Sequence, residues 1–189
     1  FDKLLEKSTE RAIVEPSLLG KGEALIARNK FAEGAESLAK LLELYPNSGF
    51  TVDATFLLSR AYSELGSKES DARKRFDTFN LAVKAMQQAR KFERTPGGLA
   101  RLDLEIGRIN VRKAEAEAQY GDKTKEQAYK ADALAVFQTL VLLGDSNDST
   151  VRPFIEEAIA ESLPILLGME RWEDVIDNAE EELSSKLGC

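Results

Sequence analysis

The sequence contains no histidine and a single cysteine, Cys189. Histidine is the commonest general base and the commonest side-chain ligand of transition metals, so its absence argues against most acid–base and zinc chemistry. One cysteine provides neither an internal disulfide nor a cysteine zinc site. Serines occur, but none lies in the Gly-x-Ser-x-Gly pattern of a nucleophile elbow. We therefore expect no enzymatic activity, no metal and no cofactor.

The sequence also lacks a long apolar run and an excess of positive charge. Its longest nearly apolar stretch, 133–143, is interrupted by Gln138 and Thr139 and is too short to span a membrane. The net charge is −7, and neutralising nucleic-acid phosphates needs a cationic surface. We therefore expect no transmembrane segment and no nucleic-acid partner.

Residues that make turns are scarce: there are 5 prolines and 12 glycines, and the Asn-Gly and Asp-Gly hairpin signals are absent. Charged residues make up 31% and hydrophobic residues 43% of the chain, which is enough to bury a core beneath charged outer faces. This balance favours an all-α protein of long helices.

The stretch 31–66 predicts two amphipathic helices joined by the break Pro46-Asn47-Ser48. Apolar residues recur in each at steps of three and four, the spacing that places side chains on one helix face. Neither helix can bury such a stripe alone, so each must pack on its neighbours, as in a helical repeat. The two stripes are Leu38, Leu41, Leu42 and Tyr45, and then Ala54, Leu57, Leu58, Ala61, Tyr62 and Leu65.

A spacing shared by two segments predicts an internal repeat, because Phe1 and Phe31 are each followed fifteen residues later by a proline. We predict one repeat domain over 1–189. Its parts are 1–15, which would be the second helix of a repeat that begins upstream of Phe1, and then 16–46, 51–92, 96–144 and 151–187. The helix 2–13 is expected to pack its Leu4, Leu5, Ala12 and Ile13 against a short helix, 18–28, in which Gly22 allows a neighbouring backbone to approach closely.

The later helices are predicted from the same periodicity. A long helix follows Gly66 with its apolar stripe through Ala72, Phe76, Phe79, Val83 and Met86. Thr95 and Pro96 are expected to be the N-cap and first residue of the next helix. The returning helix carries Ala131, Leu134, Phe137 and Val141. Two helices end the chain, about 151–167, with Pro164 inside it, and 172–186.

The run from Leu18 to Gly66 resembles tetratricopeptide repeats (TPR), through Gly22, Phe31, Leu38, Pro46, Ala54, Ser59, Tyr62 and Gly66. Tyr45-Pro46-Asn47-Ser48 with Asp53-Ala54 and Ala61-Tyr62 is similar to bacterial cell-envelope TPR proteins of the outer-membrane assembly lipoprotein and periplasmic cell-division coordinator type. Gly34 stands where the family prefers alanine, and Gly107 and Trp172 echo the motif. The resemblance implies a right-handed α-solenoid of antiparallel helix pairs, with elongated helices in its second half. It also implies protein binding and a periplasmic or outer-membrane-associated location.

One predicted binding surface lies on the second helix of the best-matching repeat. Phe56, Arg60 and Glu64 follow one another at four-residue steps and therefore share a face. An aromatic side chain beside opposite charges is typical of a hot spot for a peptide. The alternative is that Phe56 belongs to the core, because most phenylalanines are buried.

A second predicted surface follows from charge. The stretch 73–113 contains eleven Lys and Arg against four Asp and Glu, and 153–189 contains two against ten. Arg101, Arg108 and Arg112 share a stripe on one helix, where Glu105 can pair with Arg101 or Arg108. The stripe either attracts an acidic segment of a partner or of a second copy, or only solubilises the helix.

Two loops have weaker chemical patterns. Asp145 to Glu156 places oxygen atoms at several positions of a helix-loop-helix calcium site, but Thr150 replaces the required glycine and a helix cap explains the same residues. Thr95-Pro96-Gly97-Gly98 precedes a helix but lacks the lysine of a phosphate-binding loop. We therefore interpret the chain as a scaffold that binds a peptide or partner protein. The alternative is a structural module that stacks end to end or dimerises.

Overall fold

The computed structural model describes residues 1–3 and 10–169, and every element in these ranges is an α-helix. The prediction of an all-α protein is confirmed for this part of the chain. The predicted helix 172–186 and its Trp172 lie outside the described residues. The helices are α1 (Arg11–Ala27), α2 (Phe31–Leu44), α3 (Thr51–Lys68), α4 (Ala72–Ala89), α5 (Pro96–Gln119), α6 (Lys123–Leu143) and α7 (Arg152–Gly168).

The chain divides into two compact units, Phe1–Glu93 and Arg94–Cys189. In the first unit, α1 packs on α2, α2 on α3 and α3 on α4, and α1 also touches α3. In the second unit, α5 packs on α6 and α6 on α7, and α5 also touches α7. Each unit thus contains three consecutive helices in which the first contacts the third.

The core of the first unit includes a tightly packed contact between α1 and α2. Leu38 and Leu41 are fully buried there beside Leu18 and Ala54. A Cβ atom on Gly22 would lie 2.6 Å from Leu38 Cγ, and one on Gly34 would lie 3.1 Å from the carbonyl oxygen of Gly22. The predicted close approach at Gly22 is confirmed, because only glycine lets these two helices come this near.

Pro16 does not end a helix, which corrects the predicted boundary between 2–13 and 18–28. Helix α1 runs through it from Arg11 to Ala27, so Ala12 and Ile13 belong to the helix against which they were predicted to pack. The proline removes one backbone hydrogen bond. The packing of Leu18 in the core offsets this loss, as does the Ser37 hydroxyl, which donates to the Leu18 carbonyl at 2.9 Å. Leu4 and Leu5 lie outside the described residues.

Arg75, rather than Phe76, continues the buried stripe of α4. The buried residues Arg75, Phe79, Ala82, Met86 and Ala89 recur at three and four residue steps, whereas Phe76 is 49% exposed. The Arg75 guanidinium can occupy this position because its Nη1 donates to the carbonyls of Glu69 and Ser70. Phe76 was therefore wrongly assigned to the stripe, as were the exposed Ala72 and Ala131.

The predicted start of α5 is confirmed. The Thr95 hydroxyl accepts a hydrogen bond from the Gly98 backbone N–H at 3.1 Å, and Pro96 is the first helical residue. A Cβ on Gly97 would lie 2.6 Å from the Thr150 carbonyl oxygen, so this helix start packs directly on the turn that precedes α7. Its glycine serves close packing within the second unit.

The core of the second unit forms around Phe137, which is fully buried among Leu104, Leu134 and Ile159. Gly107 lies against the Phe137 ring, where a Cβ would be 2.7 Å from Cδ1 and 2.8 Å from Cζ. Helix α7 contains Pro164, as predicted, and continues to Gly168.

The turn between α2 and α3 is built on Ser48. The Ser48 N–H donates to the Tyr45 carbonyl at 3.0 Å, and the Thr51 N–H donates to the Ser48 carbonyl at 3.1 Å. The Ser48 hydroxyl also accepts from the Phe50 N–H at 3.1 Å, which is a short-range turn typical of serine.

The turn between α6 and α7 has the same hydrogen bonds one hundred positions later. The Asp148 N–H donates to the Asp145 carbonyl at 3.1 Å, and the Val151 N–H donates to the Asp148 carbonyl at 3.0 Å. The Asp148 carboxylate accepts from the Thr150 N–H at 2.8 Å, where Ser48 accepts from Phe50. Serine and aspartate thus perform the same role in two copies of one turn.

The helices on either side of these turns share a burial pattern. Gly22 and Gly107 are each the twelfth residue of the first helix of their unit, and both lie against a neighbouring helix. The third helices match in the register of the turn, where the buried Thr55, Leu58 and Ser59 correspond to Ile155, Ala158 and Ile159. The second helices have a similar spacing of buried residues, with Leu38 and Leu41 resembling Phe137 and Leu140, but one residue out of that register. The two units therefore share the turn and the burial pattern of the helix that follows it.

Candidate protein-binding surfaces

The three residues predicted as a hot spot lie on one face of α3. Arg60 is exposed, whereas Phe56 and Glu64 are half-buried. Leu58 and Ala61 beside them are buried in the core of the first unit. Phe56 is therefore not a fully buried core residue, and its partly exposed side chain shares this face with the exposed Arg60. Its role in binding stays a prediction.

In the predicted arginine stripe, Arg108 forms ion pairs with three carboxylates of its own unit. Arg108 donates to Glu105 at 2.8 Å, to Glu157 at 2.7 Å and to Glu161 at 2.6 Å. Glu105 lies one turn away on α5, and the two other carboxylates belong to α7. Partial burial alone would lower the pKa of Arg108, but the hydrogen bonds that it donates to the carboxylates of Glu105, Glu161 and Glu157 raise it above its ordinary value.

This ion-pair cluster gives Arg108 a role within the second unit, because it joins α5 to α7. Of the two pairings predicted for Glu105, the structure forms the one with Arg108. Arg101 is exposed and Arg112 is half-buried on the same helix. A partner contact at Arg101, Arg108 and Arg112 stays a prediction, and the geometry favours a structural role for Arg108.

We expect Arg108→Gln to lower the free energy of unfolding by about 1 kcal/mol, because three partly exposed ion pairs of a few tenths of a kcal/mol each are lost. The loss should shrink as salt rises, since partly exposed pairs are screened. Denaturant unfolding at low and high salt measures it. Arg152→Gln is the matched control, because Arg152 pairs with Glu156 at 3.2 Å within a single helix. Equal effects of the two substitutions would contradict the cluster's role.

In the first unit, a buried polar contact joins α1 to the turn before α3. The buried Ser48 hydroxyl donates to the Glu15 carboxylate at 2.6 Å, and Arg11 pairs with the other carboxylate oxygen. The hydrogen bond from Ser48 is the main cause that lowers the pKa of Glu15; burial opposes it, and Arg11 adds to the lowering. The ionised carboxylate of Glu15, which is nearly buried, is therefore paired with both Ser48 and Arg11.

This contact predicts a pH dependence. Because the pKa of Glu15 is lower in the folded than in the unfolded protein, its contribution to stability is full above the ordinary glutamate pKa of 4.5 and is lost as pH falls through the folded value. We expect the stability difference between the wild type and Glu15→Gln to narrow below about pH 4.5. Unfolding midpoints between neutral and acid pH measure it, with Glu23→Gln on the exposed face of α1 as control. A constant difference across this range would contradict the prediction.

In the loop with the calcium-like pattern, the aspartates accept hydrogen bonds from groups of the loop itself. The Asp145 carboxylate accepts from the Asn147 N–H at 2.9 Å, and the Asp148 carboxylate accepts from the Thr150 N–H and hydroxyl. Both carboxylates thus stabilise the turn before α7, which corresponds to the turn that Ser48 stabilises before α3. In the parts of the chain that are described, no three Asp, Glu, His or Cys side chains converge as metal ligands.

Lys113 is a buried charge that the sequence interpretation missed. Lys113 continues the apolar stripe that Leu102, Ile106 and Ile109 form on α5 at steps of three and four residues. It is only 9% exposed, and its Nζ lies 5.3 Å from the centroid of the Tyr129 ring. Burial lowers its pKa, while Asp132 acts in the opposite direction. The position of Lys113 on an apolar stripe is the sequence signal that could have predicted its burial. A lysine at such a position packs its aliphatic chain in the core and can place its ammonium group against an aromatic ring.

Among the helices described, none is both long and apolar enough to cross a membrane. Comparisons with known proteins found no family and no curated protein that matches the chain.

Proposed function

We propose that this protein is a helical-repeat scaffold of the TPR type that binds a peptide or a partner protein. The observation that carries the proposal is the repetition of one turn at 45–51 and 145–151, followed in both units by a helix with the same buried positions. Repetition of one motif is typical of proteins whose helices stack on their neighbours and leave an extended surface for a ligand.

The proposal includes the geometry that the TPR resemblance implies. In it, antiparallel helix pairs stack into a right-handed solenoid, and the close contacts at Gly22 and Gly107 are the points where the paired helices cross. The resemblance of Tyr45-Pro46-Asn47-Ser48 to cell-envelope TPR proteins supports a place in the bacterial cell envelope. Binding of this kind requires no chemical step and no cofactor.

The ligand surface in this proposal is the face of α3 that carries Phe56, Arg60 and Glu64. In this proposal, the exposed part of the Phe56 side chain supplies apolar contact, and the charges of Arg60 and Glu64 orient a peptide. Helix α3 is fixed against α4, because Ser59 donates to the Ala82 carbonyl of α4 at 3.0 Å and Ala61 is fully buried. A rigid helix can hold these side chains in place before the ligand arrives.

A random-peptide display library selected on the immobilised protein tests the proposal. We expect the selected peptides to lose at least about thirtyfold in affinity against Phe56→Ala, because a hot-spot residue contributes about 2 kcal/mol or more. Arg60→Glu should weaken binding as well. The control is Leu142→Ala, which removes a 76% exposed side chain from α6. Selected peptides that bind Phe56→Ala and the control equally would contradict the assigned surface.

Self-assembly is the second candidate, and one observation favours it. Leu142 and Leu143 at the end of α6 are 76% and 81% exposed, and adjacent exposed leucines are a suitable contact between copies. Light scattering during size-exclusion chromatography across about a hundredfold concentration range separates the candidates. A mass that doubles with concentration in the wild type, but not in Leu142→Ala/Leu143→Ala, would favour assembly.

A further inference from the structure

We draw no further inference here: the strongest candidate, the apolar groove that Ala12, Pro16 and Phe50 line between the start of α1 and the turn before α3, carries nothing because nothing in the described part of the structure shows what covers it.

Discussion

Leu38→Ala is expected to lower the free energy of unfolding by about 2–5 kcal/mol. Leu38 is fully buried where α1 crosses α2, and a Cβ on Gly22 would lie only 2.6 Å from its Cγ. Truncation removes buried apolar surface and leaves a cavity that Gly22 has no side chain to fill. Unfolding in denaturant, followed by circular dichroism, measures the loss.

Leu143→Ala is the matched control for this substitution. It removes the same atoms from a side chain that is 81% exposed, so its effect should stay within about 0.5 kcal/mol. A loss at Leu38 no larger than that at Leu143 would show that α1 and α2 are not in close contact.

Gly107→Ala is expected to destabilise the protein by up to about 2 kcal/mol. Alanine stabilises a helix by about 1 kcal/mol relative to glycine, but its Cβ would overlap the buried Phe137 ring. Moving that ring within a packed core costs about 1–3 kcal/mol, so overpacking outweighs the gain in helix propensity. The free energy of unfolding, measured as for Leu38→Ala, reports the net effect.

A second substitution identifies the cause. In Gly107→Ala/Phe137→Leu, the smaller side chain makes room for the new methyl group, so the double variant should be more stable than the sum of the single effects predicts. Gly168→Ala is the control, because none of the described residues has an atom within 4 Å of a Cβ at this position, so only the helix propensity changes. Additive effects at 107 and 137 would contradict the contact.

Local signals predicted those parts of the fold that depend on a few neighbouring residues. The apolar stripe through Leu38 and Leu41, the cap at Thr95 and the close approach at Gly22 are all found in the structure. Each depends on the helical period or on the chemistry of one residue type, and both can be read along the chain.

The candidate surfaces were predicted only in part. The spacing of Phe56, Arg60 and Glu64 placed them on one face of α3, which the structure shows, but spacing does not reveal how deeply Phe56 is buried. Arg101, Arg108 and Arg112 were placed on one helix for the same reason. The structure adds that carboxylates of α7, about fifty positions away, engage Arg108.

The sequence by itself determined that this chain is helical, where most of its apolar stripes run and that charge of one sign is concentrated in 73–113. The tertiary structure decided which local preferences prevailed. Helix α1 continues through Pro16 because the residues on either side of the proline are bonded to other elements: Ser48 donates to Glu15, and Ser37 donates to Leu18. Arg75 replaces Phe76 in a buried stripe because two loop carbonyls accept its hydrogen bonds. The first outcome depends on helices that are distant in sequence, and the second on how the preceding loop folds back onto its helix. Contributions of about 1–3 kcal/mol from such contacts are as large as the local preferences they override.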